Sequence, residues 1–339
     1  MRDSYDYVIV GAGSAGCVMA NRLSADPGCR VLLLEAGGSD QSFRVHMPAA
    51  FSMAMGNERF DWCYQSEPQP TLNHRVMGYP RGKVLGGSSS INAMCFTRGH
   101  PTDFDVWAGN GLSEWSYAHC LPYFKRMETF DGGANAFRGG EGPLNVSAPH
   151  ITSDLTKAFV KACEQAGHRR SEDTNGWCQE GVGVSDQTIH AGRRVSAATA
   201  YLHPARTRRN LTVRTEVVVN RLLLRSDRVY GVEYIQFGQT HQVTADQEVI
   251  LCAGAINSPK VLMLSGIGDE SALTSMGIKV VQHLPAVGKY LQDHLDIYVC
   301  HKSDSDLTKT PALKWHNRVR AGLQWFTTKR GDAATNHFE

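Results

Sequence analysis

The chain has 339 residues, of which 42% are hydrophobic and 20% charged, and its formal net charge is +2. This composition is typical of a globular protein with one large domain or two, and the near-neutral charge predicts no nucleic-acid partner. Nine cysteines without a CxxC pair, and histidines without metal-ligand spacing, argue against a metal site or a disulfide framework. With no apolar run of membrane-spanning length and a strand predicted close to Met1, we expect a cytoplasmic protein without a leader peptide.

A dinucleotide-binding fingerprint opens the chain. Residues 7–10 predict a buried parallel strand, and a glycine-rich turn and a helix follow. In such a turn Gly11 allows the tight bend, Gly13 lets the backbone approach a pyrophosphate, and Gly16 lets helix and strand pack closely. The pyrophosphate would lie at the helix N-terminus, where free N–H groups and the helix dipole favour anions.

A second apolar run, residues 31–34, ends in Glu35. A carboxylate at the end of the second strand can accept hydrogen bonds from a ribose diol. Residues 7–35 therefore predict a nucleotide site, because they combine a strand, a glycine turn, a helix and a second strand that ends in an acidic residue. The alternative is a tight turn in an ordinary α/β protein.

The next segment, residues 36–80, is apolar and without sustained periodicity. Such an insertion is typical of a lid or binding loop, and a well-packed irregular loop is the alternative. Residues 81–94 then place two glycines and three serines between apolar flanks. Their backbone and hydroxyl donors predict a nest for a cofactor phosphate or an oxyanion, and the apolar flanks argue against a flexible linker.

Helices are predicted from about Asp103 and Pro122, over residues 153–167 as an amphipathic helix, and over 196–202. Short strands near 211–213, 217–224, 229–235 and 241–244 predict a small antiparallel meander. Residues 249–252 predict a further parallel strand of the first sheet. Gly254 would lie at its carboxyl end, with a helix from Ser258 and Pro259.

These motifs resemble the glucose–methanol–choline (GMC) oxidoreductase family over residues 5 to about 300. Residues 11–16 with Glu35 resemble its FAD fingerprint, and residues 81–92 and 254–268 resemble its first and second signatures. Residues 287–294 are similar to the segment that follows. The resemblance implies an α/β fold: a doubly wound, Rossmann-like FAD-binding domain with an α+β substrate domain whose C-terminal part is missing.

The resemblance also implies domain boundaries and cofactor contacts. Residues 1–45 with 205–300 would form the FAD-binding domain, 46–100 the lid and first signature, 101–204 a helical extension and the start of the substrate domain, and 301–339 a truncated substrate domain. The residues implied to contact FAD are Gly11, Gly13, Ser14, Ala15, Gly16, Glu35, Ala36, Val84, Gly87, Ser88, Asn92, Ala93, Met94, Cys95, Val217, Ala253 and Gly254.

Within the family, residues 61–64 and 336–339 look most like the choline-oxidising members. The implied reaction is FAD-dependent hydride removal from a primary alcohol, with choline converted to betaine aldehyde on the route to glycine betaine. A quaternary ammonium is bound by aromatic faces and a carboxylate, and Trp62 and Glu339 are the candidates by resemblance. A core tryptophan and a surface glutamate are the alternative.

Ile91 stands where choline-oxidising oxidases carry a histidine that anchors the flavin covalently. This departure implies non-covalent FAD and favours a quinone or another electron acceptor. A quinone acceptor would suit peripheral attachment to the inner face of a membrane, although the sequence pattern reveals no basic amphipathic helix to support it.

Proton removal from an alcohol requires a base near the hydroxyl, and no histidine here matches the family's C-terminal catalytic motif. We therefore expect the N-terminal portion of a longer enzyme, with the catalytic histidine beyond Glu339. A family member oxidising another aliphatic or aromatic alcohol and an inactive FAD-binding fragment remain alternatives, and NAD in place of FAD is a weaker one.

Overall fold

A computed structural model describes residues 4–149, 151, 153–294, 296–302 and 314–338. The chain forms two compact units. The first comprises Met1–Ser42, Ala54–Ile91 and Ala197–Val299, and the second comprises Phe43–Met53, Asn92–Ser196 and Cys300–Glu339. The boundary between the two units therefore falls between Ile91 and Asn92, within the glycine- and serine-rich stretch of residues 81–94.

The helices and strands follow one another in an α/β pattern, and no helix in the described part of the chain is long and apolar enough to span a bilayer. The helices are α1 (Ser14–Leu23), α2 (Phe43–His46), α3 (Pro101–Gly109), α4 (Tyr117–Met127), α5 (Asp154–Gln165), α6 (His203–Ala205), α7 (Gly254–Leu264), α8 (Glu270–Ser275) and α9 (Trp315–Thr328). The strands are β1 (Ser4–Val10), β2 (Val31–Leu34), β3 (Tyr64–Gln65), β4 (Gly78–Tyr79), β5 (Cys95–Phe96), β6 (Glu128–Phe130), β7 (Leu144–Val146), β8 (Asp186–Gln187), β9 (Ile189–His190), β10 (Arg193–Arg194), β11 (Leu211–Arg214), β12 (Val217–Arg225), β13 (Arg228–Gln236), β14 (Gln239–Leu251), β15 (Ile267–Gly268) and β16 (Gln282–His283).

The first unit is built on a six-stranded sheet in the order β11-β2-β1-β14-β13-β12. The first four strands pair in parallel and the last two pairings are antiparallel. Buried aliphatic side chains from the parallel strands and from the antiparallel strands form one core, which includes Val8, Leu32, Val217 and Val243. Continuous apolar strands are what a parallel sheet covered on both faces requires. The predicted α/β class with a parallel dinucleotide-binding sheet is confirmed.

Two predicted details of this sheet are wrong. Strand β11 does not join the antiparallel meander, because it pairs in parallel with β2, Leu211 opposite Val31. The strands predicted at 241–244 and 249–252 are one strand, β14, whose register against β1 shifts between Tyr5 and Tyr7. The bulge accommodates the polar residues 246–248, which interrupt the apolar pattern of β14. Because of this interruption, hydrophobic periodicity alone indicated two separate strands.

Helix α7 begins four residues earlier than the predicted start at Ser258. Gly254, with φ +81°, turns the chain directly from the end of β14 into the helix. Pro259 consequently lies inside the helix instead of in its first turn, where its ring removes one backbone hydrogen bond. The early start brings the N-terminus of α7 to the carboxyl end of the sheet.

The second unit combines helices with short paired strands. Helix α5 confirms the predicted amphipathic helix, with Ser153 as its N-cap, but Leu155 and Phe159 of its predicted apolar face are exposed. Helix α9 is fixed by Trp325, which packs with Met47, Ala50 and Ala333. The predicted helix at 196–202 is a short π-helical turn, Ala198–Leu202, which belongs to the first unit and leads into α6.

A buried charge network holds the second unit together around Glu128. The fully buried Glu128 carboxylate accepts from Arg98, at 2.6 Å, and from Arg138, at 3.0 Å. Arg138 also reaches Asp173, at 2.7 Å, and Asp186, at 2.8 Å. Because β8, which carries Asp186, pairs with β5, the network anchors the strand that follows the first signature.

Candidate functional site

A cavity of about 550 Å³ lies in the first unit, at the carboxyl ends of β1, β2 and β14. Open parallel sheets bind ligands at this edge, and this volume is typical of small-molecule and cofactor sites. Predicted site residues that line the cavity are Gly11, Gly13, Ser14, Ala15, Glu35, Ala36, Trp62, Gly87, Ser88, Val217, Ala253 and Gly254. The structure therefore brings most of the predicted nucleotide contacts of the first unit into one place.

The fingerprint turn has the close contacts that its glycines predicted. Gly11 has φ +97°, and a Cβ there would lie 2.6 Å from the carbonyl oxygen of Cys252. A Cβ on Gly16 would overlap the carbonyl oxygen of Gly11, so only glycine lets α1 pack against the turn. Gly13 differs, because a Cβ there meets no atom within 4 Å. The backbone of Gly13 thus faces open space in which a pyrophosphate can approach it.

Two helix N-termini meet this cavity without side-chain caps. Gly13 is the N-cap of α1 and Ala253 is the N-cap of α7, and neither makes a side-chain capping hydrogen bond. First-turn N–H groups have no partner within their helix, and the helix dipole adds positive potential there. The arrangement suits an anion held near both termini, as a dinucleotide pyrophosphate would be.

Glu35 lies beside the fingerprint turn and is buried. One carboxylate oxygen accepts from the N–H of Ala12 at 2.7 Å, and the other accepts from the N–H of Gly37 at 2.8 Å. Burial raises the pKa of Glu35 to about 7, although these backbone hydrogen bonds act in the opposite direction. Each oxygen retains acceptor capacity, so the predicted ribose contact remains chemically available and stays a prediction.

Val217 is held against the same strand end. Its N–H donates to the carbonyl oxygen of Glu35 at 2.9 Å, and its side chain is buried in the sheet core. The first residues of β12, Val217, Val218 and Val219, consequently form the cavity wall next to Glu35. This placement suits the predicted backbone contact with the adenine region.

The first signature folds over the fingerprint turn. The N–H of Gly86 donates to the carbonyl oxygen of Ala12 at 2.8 Å. A Cβ on Gly87 would lie 2.7 Å from the Cα of Gly13, so glycine is needed where the two loops cross. Gly87 and Ser88 line the cavity, whereas Val84 is fully buried and is not part of its lining.

The four other predicted flavin contacts, Asn92 to Cys95, belong to the second unit. The side-chain oxygen of Asn92 accepts from Arg194 at 2.7 Å, and the carbonyl oxygen of Ala93 accepts from Asn336 at 2.7 Å. Met94 is fully buried, and Cys95 pairs with Gln187 across β5 and β8. The backbone of this segment is thus fixed within its unit, and its contact with a flavin stays a prediction.

Trp62, the predicted ammonium contact, lines the cavity of the first unit. Its ring stacks on Tyr64 with the ring centroids 5.7 Å apart, and the Nζ atom of Lys83 lies 5.2 Å from the Trp62 ring centroid. The indole is therefore already in the field of one cation. Glu339, the second predicted substrate residue, lies outside the described residues.

Several lining residues were not predicted. Tyr64 donates its hydroxyl to the side-chain oxygen of Asn257 at 2.7 Å, and this contact joins β3 to α7. Lys260 follows Asn257 on the same helix, and Arg81 is the first residue of the first signature; both line the cavity. Asn257 and Lys260 lie three and six residues after Gly254, so a helix start at Gly254 would have indicated that they share a face.

The site therefore combines two helix N-termini without side-chain caps, a buried carboxylate and an aromatic wall. Among the described residues, no group of three histidine, cysteine or acidic side chains is placed to bind a metal ion. Neither helix N-terminus has a side-chain capping hydrogen bond, and a dinucleotide fits the donor and acceptor set.

Comparisons with known proteins agree with this geometry. Choline dehydrogenase from Homo sapiens, a mitochondrial protein, is 50% identical over 345 residues, and the oxygen-dependent choline dehydrogenase of Staphylococcus xylosus is 46% identical over 344. Both alignments cover 100% of this chain, which spans 58% and 61% of the respective relatives.

Solved structures give the same answer for the fold. Pyridoxine 4-oxidase from Mesorbium loti has a TM-score of 0.80 and 39% identity, over 83% of this chain and 55% of that one. A formate oxidase from Aspergillus oryzae has a TM-score of 0.88 and 28% identity, over 99% of this chain and 60% of that one. The family model described as GMC oxidoreductase matches residues 5–296. The chain belongs to the GMC oxidoreductase family.

Proposed function

We propose that this chain is the FAD-binding portion of an enzyme that oxidises choline to betaine aldehyde. The observation that carries the proposal is the cavity bounded by two uncapped helix N-termini, Glu35 and the first-signature loop, in a chain 46–50% identical to choline dehydrogenases. FAD, when bound, supplies the acceptor for the hydride of the alcohol carbon. Family membership and the choline dehydrogenase relatives together support FAD over NAD.

The chain's own residues bind and orient the cofactor. Backbone N–H groups at the starts of α1 and α7 would hold the pyrophosphate, and Glu35 would accept from the adenosine ribose. Gly87 and Ser88 would cover the phosphates from the first-signature side. Asn92, fixed by Arg194, and Ala93, fixed by Asn336, would present a rigid backbone to the flavin.

We propose non-covalent attachment of FAD. Ile91, which stands where the resemblance places an anchoring histidine, is a buried aliphatic residue with no nucleophilic atom. Acid or heat denaturation of the loaded protein followed by ultrafiltration tests this directly. All flavin should pass the filter, and flavin retained on the polypeptide would contradict the proposal.

Substrate recognition would use Trp62 for the trimethylammonium group, with Glu339 as the neutralising carboxylate. An indole face binds quaternary ammonium without needing a hydrogen bond. The Nζ atom of Lys83 lies 5.2 Å from the centroid of this ring, so the indole already interacts with one cation. The electron acceptor would be a quinone or another small oxidant, and a lipid-soluble quinone favours a peripheral position on the inner face of a membrane.

The catalytic base would be a histidine of the family's C-terminal motif, as the resemblance implies. The predicted domain assignment, with residues 1–45 and 205–300 binding FAD, 46–100 covering it, and 101–204 and 301–339 contributing to the substrate domain, is part of the same proposal. Pyridoxine 4-oxidase at 39% identity makes a different alcohol the second candidate substrate. An FAD-binding fragment without turnover is the third candidate.

Flavin stoichiometry and choline-dependent dye reduction test the proposal together. We expect the chain to bind one equivalent of FAD with little turnover, and an extended form carrying the late histidine to bleach the flavin with choline. Bleaching by benzyl alcohol or pyridoxine in preference to choline would move the assignment to another family substrate. Absence of any flavin binding would contradict the cofactor proposal itself.

A further inference from the structure

The buried carboxylate of Asp61 joins two segments of the first unit. Its Oδ2 atom accepts from the backbone N–H of Gly56 at 2.7 Å, and its Oδ1 atom accepts from the N–H groups of Cys63, at 3.0 Å, and Arg81, at 2.9 Å. Asp61 is 2% exposed, and burial of an acid is tolerated when donors of this kind surround it. One carboxylate therefore holds residues 56–63 against the start of the first signature, 20 residues further along the chain.

Backbone pairing connects this carboxylate to the wall of the cofactor cavity. Asp61 forms an antiparallel bridge with Gly82, and the N–H of Trp62 donates to the carbonyl oxygen of Arg81 at 2.9 Å. Trp62, Arg81 and Gly82 line the cavity, whereas Asp61 is not part of its lining. Asp61 therefore lies behind the cavity wall, in contact with the residues that form it.

Three glycine backbones in contact connect this wall to the fingerprint turn. A Cβ on Gly82 would overlap the carbonyl group of Gly87, and a Cβ on Gly87 would lie 2.7 Å from the Cα of Gly13. Beside this contact, the N–H of Gly86 donates to the carbonyl oxygen of Ala12 at 2.8 Å. Because backbone touches backbone at both steps, a shift of Gly82 cannot be absorbed by a change of side-chain rotamer. Such a shift would reach Gly13, the N-cap of α1.

We propose that Asp61 is a positioning residue for the cofactor, acting through Gly82 and Gly87 on the pyrophosphate end of the cavity. An acceptor is needed at this position, because an apolar side chain would leave three backbone N–H groups without the carboxylate that binds them. The inference rests on the proposed function, since it names a residue that sets the affinity for FAD. The alternative is that Asp61 only stabilises residues 56–63.

Hydrogen exchange of the cofactor-free chain tests the connection without any ligand. In Asp61→Ala the amide of Gly86, whose hydrogen bond joins the two loops, should exchange about tenfold or more faster than in the unchanged chain. The amide of Leu222, which donates to the Ser265 hydroxyl at 2.8 Å in the sheet, should exchange at the same rate in both chains. Equal acceleration of both amides would indicate general destabilisation and would overturn the proposal.

Titration with FAD and with ADP, which carries the adenosine and the pyrophosphate without the flavin, locates the effect. Asp61→Ala should weaken binding of both ligands by the same factor, about tenfold or more. Asp61→Asn should lose only about threefold, because its amide oxygen can still accept from Arg81. A loss confined to FAD would place the effect at the flavin end and contradict the proposal. If the unchanged chain bound no FAD, the proposed function would fail, and hydrogen exchange of Gly86 would still decide the role of Asp61.

The matched control is Asp269→Ala in the same unit, where the Asp269 carboxylate caps α8 by accepting from the N–H of Ala272 at 3.0 Å. This change should lower the free energy of unfolding but leave the exchange of Gly86 and the affinity for FAD unchanged. Equal FAD affinities in Asp61→Ala and Asp269→Ala would overturn the proposal.

Gly82→Ala is the complementary variant, because it disturbs the contact with Gly87 while Asp61 stays intact. It should also weaken FAD binding about tenfold or more, and an unchanged affinity would show that the glycines do not connect Asp61 to the pyrophosphate end. Circular dichroism identifies the variants that keep the fold, and Asp61→Asn carries the comparison if Asp61→Ala does not.

Discussion

Glu35 accepts a hydrogen bond from the backbone N–H of Ala12 at 2.7 Å, and this contact joins the end of β2 to the fingerprint turn. The same carboxylate accepts from Gly37 and is 5% exposed. A single buried acid therefore organises two backbone segments of the cofactor cavity. We therefore expect its ionisation to affect both the stability of the chain and its affinity for FAD.

The raised pKa of Glu35 predicts opposite pH effects on stability and binding. The shift from 4.5 to about 7 corresponds to about 3 kcal/mol of folding stability. That contribution is fully present below about pH 4.5 and is lost as pH rises through about 7, because the buried charge then forms. Chemical unfolding of the cofactor-free chain across this range measures it.

FAD affinity should instead rise with pH up to about 7 and then level off, because the ionised carboxylate is the ribose acceptor. Glu35→Gln should flatten this profile and weaken FAD binding about tenfold or more near pH 8. The exposed Glu67→Gln is the control and should leave the profile unchanged. A Glu35→Gln chain with the same pH profile would show that another group titrates. Flavin fluorescence quenching provides the affinities.

Gly13→Ala and Gly16→Ala should separate cofactor binding from folding. A methyl at Gly13 meets no protein atom within 4 Å, so the free energy of unfolding should stay unchanged while the methyl intrudes where the pyrophosphate approaches. A methyl at Gly16 overlaps the Gly11 carbonyl and should destabilise the chain by about 1–3 kcal/mol. Thermal unfolding and FAD titration of both variants measure the two effects. Normal FAD affinity in Gly13→Ala would contradict the placement of the pyrophosphate.

Loss of Arg138 should unfold the second unit selectively. Arg138→Met leaves Asp173 and Asp186 without their buried counter-ion and leaves Glu128 paired with Arg98 alone, and breaking such a network costs about 3–5 kcal/mol. The comparison is Arg170→Met, whose ion pair with Glu172 is exposed and contributes about 0–1 kcal/mol. Urea unfolding followed by tryptophan fluorescence tests this difference. Equal midpoints for the two variants would mean that the buried charges are not the anchor of this unit.

Trp62→Leu should affect choline recognition more than FAD binding. The indole face supplies a cation–π contact of up to about 2 kcal/mol when desolvated, so the choline concentration for half-maximal flavin bleaching should rise about tenfold or more. The exposed Trp177→Leu is the matched control. The measurement uses an extended form of the chain that turns over choline. An unchanged choline dependence in Trp62→Leu would leave Trp62 as a packing residue against Tyr64.

Local sequence patterns were enough to predict the fingerprint turn and to single out the first-signature loop. The sequence indicated Gly11 and Gly16 because the fingerprint needs glycine at a tight turn and at a close helix–strand contact, and the family resemblance indicated Gly87. The start of α7 could not be predicted from sequence, because Ser258 and Pro259 are as good a helix-start signal as Gly254. Asn257 and Lys260 were missed for that reason.

The amino-acid sequence by itself determined the α/β class, the fingerprint turn and the family, because these depend on neighbouring residues and on the steric requirements of glycine. Only the tertiary structure decided that β11 pairs with β2, that Glu35 is buried against two backbone N–H groups, and that Asp61 joins residues 56–63 to the first signature. Strand pairing, pKa and exposure depend on which distant segments exclude water from a side chain. Local periodicity does not contain that information.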